Sequence, residues 1–278
     1  MTLAVKRMKA SQDTGGMEIR MIDVDGQMLR VGIKQGPKGK RPLLMFNGIG
    51  ANLELAIPFM KELKGRGGII FDVPGVGGSP MPVLPYRPST LVRLAKRLCQ
   101  KLGHEEVDVS GVSWGGGIAQ QFAKQYPKVA KKLVLVATSA GWVMVPGNPK
   151  VLAKMANIKR YTNQGYMRGI AAEIYGGDFR KDPTLINQHA KAMKPSSNAG
   201  YTLQLLAMMG WTSVGWLWRL KQPTLIISGT DDPLISIKNA KLLHRLIPNS
   251  ELEIIEDGHL FMVTKPKMTA KMIGNFLG

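Results

Sequence analysis

The sequence predicts an α/β protein: a mostly parallel, eight-stranded sheet with helices on both faces and a helical insertion ahead of the last two strands. Three observations predict it. Short apolar runs alternate with helical stretches over most of the chain, the pattern of a parallel sheet covered on both sides. A two-residue turn signal near the start implies an antiparallel hairpin. The alternation then lapses for about 80 residues between Thr138 and Thr224.

The hairpin is read from EIRMIDV at 18–24 and MLRVGIK at 28–34, which flank Asp25-Gly26. Six buried-type strands follow: Leu43–Phe46, Gly68–Asp72, Val107–Ser110, Leu133–Thr138, Thr224–Ser228 and Glu251–Ile255. Between them, Ser89–Leu102 sets Leu91, Leu94, Ala95, Leu98 and Leu102 on one helical face. Ser113–Tyr126 is a helix stopped by Pro127, and Ile235–Leu246 one stopped by Pro248. A structureless loop as long as the lapse would be out of place in a compact domain, so 141–222 is expected to be a helical lid over the sheet. The core is then 1–140 with 223–278. The insertion holds four of the five tryptophans (Trp142, Trp211, Trp216, Trp218) and four of the six tyrosines (Tyr161, Tyr166, Tyr175, Tyr201).

Composition bounds the function. With 44% hydrophobic and 21% charged residues over 278 positions, the chain is an ordinary globular one rather than a disordered or fibrous one. The single cysteine, Cys99, excludes a disulfide framework or a thiolate metal cluster within the chain. No run of 18 apolar residues is present and the first residues are too weakly apolar for a secretory signal, so an intracellular protein is expected. The charge is unusual. The net +19 is spread as +5 over 1–41, +6 over 42–140 and +8 over 141–222, while 223–278 balances. Such a surface either is simply solvated or attracts polyanions such as anionic lipid; no specific nucleic-acid site is indicated.

Chemistry concentrates at four strand ends. Val107–Ser110 runs into Gly111-Val112-Ser113-Trp114-Gly115 and then a helix, a G-x-S-x-G in the strand–turn–helix setting that the motif needs. The strained turn requires very small residues two before and two after the serine, and it exposes the Ser113 hydroxyl at a helix start. Ser113 is the candidate nucleophile, and it needs a base to take its proton. Of the four histidines, His104 follows a helix, His189 lies in the insertion and His244 sits among leucines. His259, in the loop after the last strand, is the candidate base. The acid should lie between them in sequence. Thr224–Ser228 ends in Gly229-Thr230-Asp231-Asp232-Pro233, where either carboxylate could reach; Asp232, directly before the Pro-Leu-Ile turn, is preferred, with Asp231 as a turn residue. Two amides are expected to hold the oxyanion: Trp114 N–H and, from Asn47-Gly48-Ile49-Gly50, Ile49 N–H. Asn47 is expected to brace that loop and border the substrate. The glycine-rich Asp72–Ser79 lacks the lysine and helix of a phosphate loop and reads as a structural turn.

Beyond these residues the sequence resembles the intracellular medium-chain-length poly(3-hydroxyalkanoate) depolymerases of the α/β-hydrolase superfamily. The resemblance rests on FNGIGANLEL at 46–55, FDVPGVGGS at 71–79, GVSWGGG at 111–117 and VMVPGNPKVL at 143–152. It continues through IYGGDFRKDPT at 174–184, GWTSVGWL at 210–217, QPTLIISGTDDPLI at 222–235 and IPNSELEIIEDGHLF at 247–261. It covers roughly 18–277 and includes the insertion. It implies an α/β-hydrolase fold, a Ser113–His259–Asp232 triad, an acyl-enzyme on an apolar polyester of 3-hydroxy acids stored as cytoplasmic granules, and no metal or organic cofactor. Trp142, Trp211 and Trp216 in the lid are expected to meet the alkyl side chains. A general carboxylesterase or lipase is the alternative, and a silent granule-binding module is disfavoured by the complete residue set.

Overall fold

The fold was obtained as a computed structural model, which describes residues 14–157, 159, 163–193 and 197–278. The basic segment 1–13 and Tyr161 lie outside them.

Eight strands form one sheet in the order β1-β2-β4-β3-β5-β6-β7-β8. The strands are β1 Met17–Val24, β2 Gln27–Lys34, β3 Leu43–Phe46, β4 Gly68–Phe71, β5 Val107–Val112, β6 Ala130–Val136, β7 Thr224–Gly229 and β8 Ser250–Ile255. β1 and β2 pair antiparallel, as do β2 and β4, and every later pair is parallel. The Asp25-Gly26 turn has positive φ at both residues (52° and 87°), as a tight hairpin matched to strand twist requires.

Alternation along the strands divides the core. Leu44, Phe46, Val109, Leu133, Leu135 and Ile226 point to one face, covered by α2 (Pro88–Lys101), α3 (Trp114–Gln125) and α9 (Ile237–Leu246). Leu43, Met45, Ile70, Val134, Val136 and Ile227 point to the other, covered by α1 (Ile57–Glu62), α10 (Phe261–Thr264) and α11 (Pro266–Leu277). Neither α1 nor α11 was among the expected helices, although α11 buries Ala270, Ile273 and Leu277 at helical spacing. The strands keep their expected positions within a few residues. β6 stops at Val136, and Thr138 beyond it donates its hydroxyl to the Ser113 carbonyl at 2.7 Å.

Between β6 and β7 lie α4 (Pro149–Ala156), α5 (Gln164–Tyr175), α6 (Asp178–Lys181), α7 (Pro183–Ala192) and α8 (Asn198–Met208). Val151, Met167, Ile170, Ala171, Ile174 and Phe179 form a separate apolar cluster there with Leu234 of the sheet loops.

Strand order fixes where a site can be. From β3 the chain steps to β4 on one side, then crosses to β5 on the other. That reversal opens a crevice at the carboxyl ends of β3 and β5. The loop 47–52 and Ser113 leave the sheet at that point. The neighbouring glycine-rich loop is a structural turn: the buried Asp72 carboxylate accepts from Leu53 N–H (2.7 Å), Gly78 N–H (2.8 Å) and Arg30 (3.0 Å).

Candidate active site

Ser113 holds φ 53° and ψ −118°, a conformation that costs a non-glycine residue about 1–3 kcal/mol. Its surroundings enforce it. Ser113 N–H donates to Val136 O (2.9 Å), and its carbonyl accepts from Gly116 N–H (2.9 Å) as well as from Thr138. A Cβ on Gly111 would lie 2.1 Å from Gly115 O, and one on Gly115 would lie 2.2 Å from Phe46 O, so side chains are excluded at both positions. Trp114 is the first residue of α3, and its indole Nε1 donates to Gln204 O at 3.0 Å.

The loop after β3 is held by its own side chain: Asn47 Nδ2 donates to Asn52 O at 2.9 Å. Its backbone runs close to the serine, since a Cβ on Gly48 would lie 3.8 Å from Ser113 Cβ. Gly50 N–H donates to Gln204 Oε1 at 2.7 Å.

His259 is buried, with 4% of its surface exposed, and its Nδ1 lies 2.7 Å from Asp232 Oδ2. A carboxylate can only accept, so Nδ1 carries the proton in this pair and Nε2 is the ring's basic nitrogen. Asp232 is fixed through its other oxygen, which accepts from Leu234 and Ile235 N–H, both at 2.9 Å. Its neighbour does different work. Asp231 faces the inserted helices, accepting from Gly177 N–H (2.7 Å) and pairing with Arg180. The His259 amide donates to Tyr175 O at 2.7 Å. Beside it, Asp257 accepts from Asp178 N–H (2.8 Å), Gly258 N–H (2.7 Å), Lys265 Nζ (3.0 Å) and the Thr264 hydroxyl. Burial pushes the Asp257 carboxyl up, but the hydrogen bonds from Thr264, Asp178, Gly258 and Lys265 outweigh it and hold the group below its ordinary value.

Ser113 and His259 open into one cavity, about 740 Å³ with its mouth, which Asn47, Gly48 and Ile49 also line. Its remaining walls are apolar: Met45, Leu55, Phe59, Val112 and Met262 from the sheet side, with Met155, Tyr175 and Met193 from the inserted helices. His189, passed over in the sequence, lines it too and is edge-on to Tyr175 (5.3 Å) and Phe179 (5.5 Å). A lone histidine on a helix has no spacing signal to reveal this. Of the other histidines, His244 contacts Ser250 Oγ at 3.0 Å and burial pushes His104 down; neither lines the cavity.

The three tryptophans expected to meet the substrate lie outside the cavity lining. Trp211 packs edge-on to Trp216 at 6.0 Å and donates Nε1 to Gln121 at 3.0 Å. Lys124 sits 4.6 Å over the Trp216 ring, and Trp142 is 69% exposed. None of the three lines the cavity. Trp211 and Trp216 instead pack the inserted segment against α3, where Gly117 makes room for Trp211.

The family model described as the alpha/beta hydrolase fold matches the chain over residues 41–266. The chain belongs to the alpha/beta hydrolase fold family. Within that family it is 50% identical over 259 residues to the poly(3-hydroxyalkanoate) depolymerase of Ectopseudomonas oleovorans, covering 93% of this chain and 92% of that one. It is 25% identical to lipase 1 of Psychrobacter immobilis, over 95% of this chain and 86% of the lipase. Among solved structures, the enol-lactonase from Burkholderia xenovorans LB400 superposes with a TM-score of 0.80 at 20% identity, covering 92% of this alpha/beta hydrolase and 99% of that chain; the likeness is one of fold. The expected alpha/beta hydrolase fold and its eight-stranded sheet are therefore present.

Proposed function

We propose that this alpha/beta hydrolase is a serine esterase that cleaves poly(3-hydroxyalkanoate) with medium-length side chains, releasing 3-hydroxy acids or short oligomers. The observation that carries the reading is the 50% identity to a poly(3-hydroxyalkanoate) depolymerase across nearly the whole of both chains. The apolar, methionine-walled cavity supports it, because flexible thioethers adapt to alkyl chains of varied shape.

In the proposed reaction Ser113 Oγ attacks an ester carbonyl while His259 Nε2 takes its proton. Asp232, bonded at Nδ1, keeps the ring in the required tautomer and stabilises the imidazolium without itself being protonated. The amides of Ile49 and Trp114 hold the oxyanion. The protonated His259 gives its proton to the departing alcohol, and water activated by the same ring then releases the acyl group. The scheme asks for no metal or organic cofactor. Asn47 supports it as the brace of the oxyanion loop. The helices of 141–222 act as a cap that closes the cavity through Met155, Tyr175, His189 and Met193.

The protein is proposed to work in the cytoplasm at polyester granules, its +19 charge drawing it to an anionic coat. No helix among the described residues is long and apolar enough to cross a membrane. The likeness to a lipase keeps a general lipid or carboxylic esterase as the second reading. Turnover on a long-side-chain polyester emulsion, with mass analysis of the released acids, decides between them. Release of 3-hydroxy acids from the emulsion is expected; hydrolysis confined to short soluble esters would favour the second reading. Sedimentation with granules should weaken as salt rises, and binding indifferent to salt would remove the electrostatic part.

A further inference from the structure

We infer that Gln204 is a positioning residue that locks the oxyanion loop and the nucleophile's helix to the cap. The inference rests on the serine-esterase reading above. Gln204 belongs to α8, in the inserted segment, and only 1% of its surface is exposed. Its side-chain Oε1 accepts from Gly50 N–H at 2.7 Å, and its backbone carbonyl accepts from Trp114 Nε1 at 3.0 Å. One residue thus touches both segments that supply the oxyanion amides: Gly50 directly follows Ile49, and Trp114 directly follows the nucleophile.

The loop needs such a lock. Gly50 has φ +68°, a glycine conformation that its own backbone does not hold against its alternatives. Asn47 ties the loop internally to Asn52, which sets its shape but not its distance from α3. The Gly50–Gln204 bond supplies that second restraint, and it orients the peptide joining Ile49 to Gly50. A donor displaced by about 1 Å costs on the order of 10²-fold in rate, so a residue that never touches substrate can control turnover. Because α8 is part of the cap, seating the cap and forming the oxyanion site become one event.

The test uses Gln204→Met, which keeps volume and removes the acceptor, beside Gln204→Glu, which keeps an oxygen at the same reach. Three readouts are compared in the full-length protein: kcat and KM on a soluble p-nitrophenyl alkanoate, the inhibition constant of an alkyl boronic acid that mimics the tetrahedral state, and the rate of labelling by a fluorophosphonate, with the labelled residue mapped by mass spectrometry. Gln204→Met is expected to lower kcat about 10–100-fold with KM little changed, to weaken boronate binding by a similar factor and to slow labelling of Ser113. Gln204→Glu should recover most of each. Wild-type kcat in Gln204→Met, a loss confined to KM, or a kcat loss with unchanged boronate affinity would each overturn the inference. Labelling at a residue other than Ser113 in the unaltered protein would instead overturn the underlying serine-esterase reading.

Discussion

Among the described residues, the inserted segment grips the core with opposite chemistry at two of the places where they meet. At the Tyr175–Arg180 corner the grip is ionic and manifold. Gly177 N–H and Arg180 bind Asp231, Asp178 N–H binds Asp257, Lys265 bridges Asp178 and Asp257, and Tyr175 O receives the His259 amide. At α8 the loop after β3 is held by a neutral amide, Gln204, and at the loop's end Asn52 Nδ2 donates to Ala192 O of α7 at 3.2 Å. The corner braces the loops of β7 and β8 that bear Asp232 and His259, while α8 braces the loops of β3 and β5 that bear Ile49 and Ser113. Charge-assisted hydrogen bonds are about twice as strong as neutral ones, so the side bearing Asp232 and His259 is the more firmly held and the loop bearing Ile49 the more readily released. Damage at the corner should therefore appear first as lost stability, and damage at α8 as lost turnover.

The largest effects test whether both halves serve one reaction. Ser113→Ala should reduce ester turnover by about 10⁶-fold on polymer and soluble ester alike, with the melting temperature little changed, since alanine keeps the Cβ at this position. An active Ser113→Ala protein would dissolve the comparison, since there would be no reaction for the two halves to share. Asp232→Asn should cost about 10⁴-fold, because an amide in that place allows the wrong imidazole tautomer. A Tm loss without the kcat loss would move Asp232 from the chemistry into the scaffold.

How much of this could be read beforehand depends on what carried the signal. The strands were legible because buried parallel strands are continuous apolar runs, and the nucleophile turn because sterics demand glycine at 111 and 115. The sheet order was not, since apolar strands are interchangeable in pattern and only their crossovers separate them. Gly176 and Gly177 lie in the IYGGDFRKDPT stretch, where sequence alone does not show why both are glycine. Both have positive φ (67° and 52°), and a Cβ on Gly177 would lie 2.0 Å from Asp257 Oδ1. His189 and Gln204 carried no spacing signal at all. The tryptophans suggest alkyl-chain contact by composition, while the structure shows Trp211 and Trp216 covering α3. Asp231 and Asp232 were separable only by preference until their partners were seen, one on the corner and the other on the imidazole.

A smaller and pH-dependent effect sharpens the view of the corner as ionic. Asp257 titrates below its ordinary value of 3.8 in the folded protein, so the stability it lends is present above that value and is lost as pH falls through the lower folded value. Asp257→Asn should lower the melting temperature at pH 7 by about 2–4 °C for each kcal/mol lost, and the gap to wild type should close in acid. A gap that persists undiminished as pH falls through the lowered folded value would show that the residue's shape, rather than its charge, holds the corner. Activity at pH 7 should fall less than in Gln204→Met.

The least effect is expected from Arg180→Ala. The Arg180–Asp231 pair is close, but both side chains are nearly half exposed (45% and 46%), and such pairs are worth about 0–1 kcal/mol and are screened by salt. Asp231 has a second partner at the corner, the Gly177 amide at 2.7 Å, and that bond survives loss of the arginine. Arg180→Ala should therefore shift the melting temperature only slightly, by less in high salt than in low, with kcat on a soluble ester near wild type. Asp231→Ala removes both partners together and should cost more than Arg180→Ala at every salt concentration. If the two variants lose the same stability, the exposed arginine rather than the glycine amide holds Asp231 in place, and the corner's strength lies at its surface.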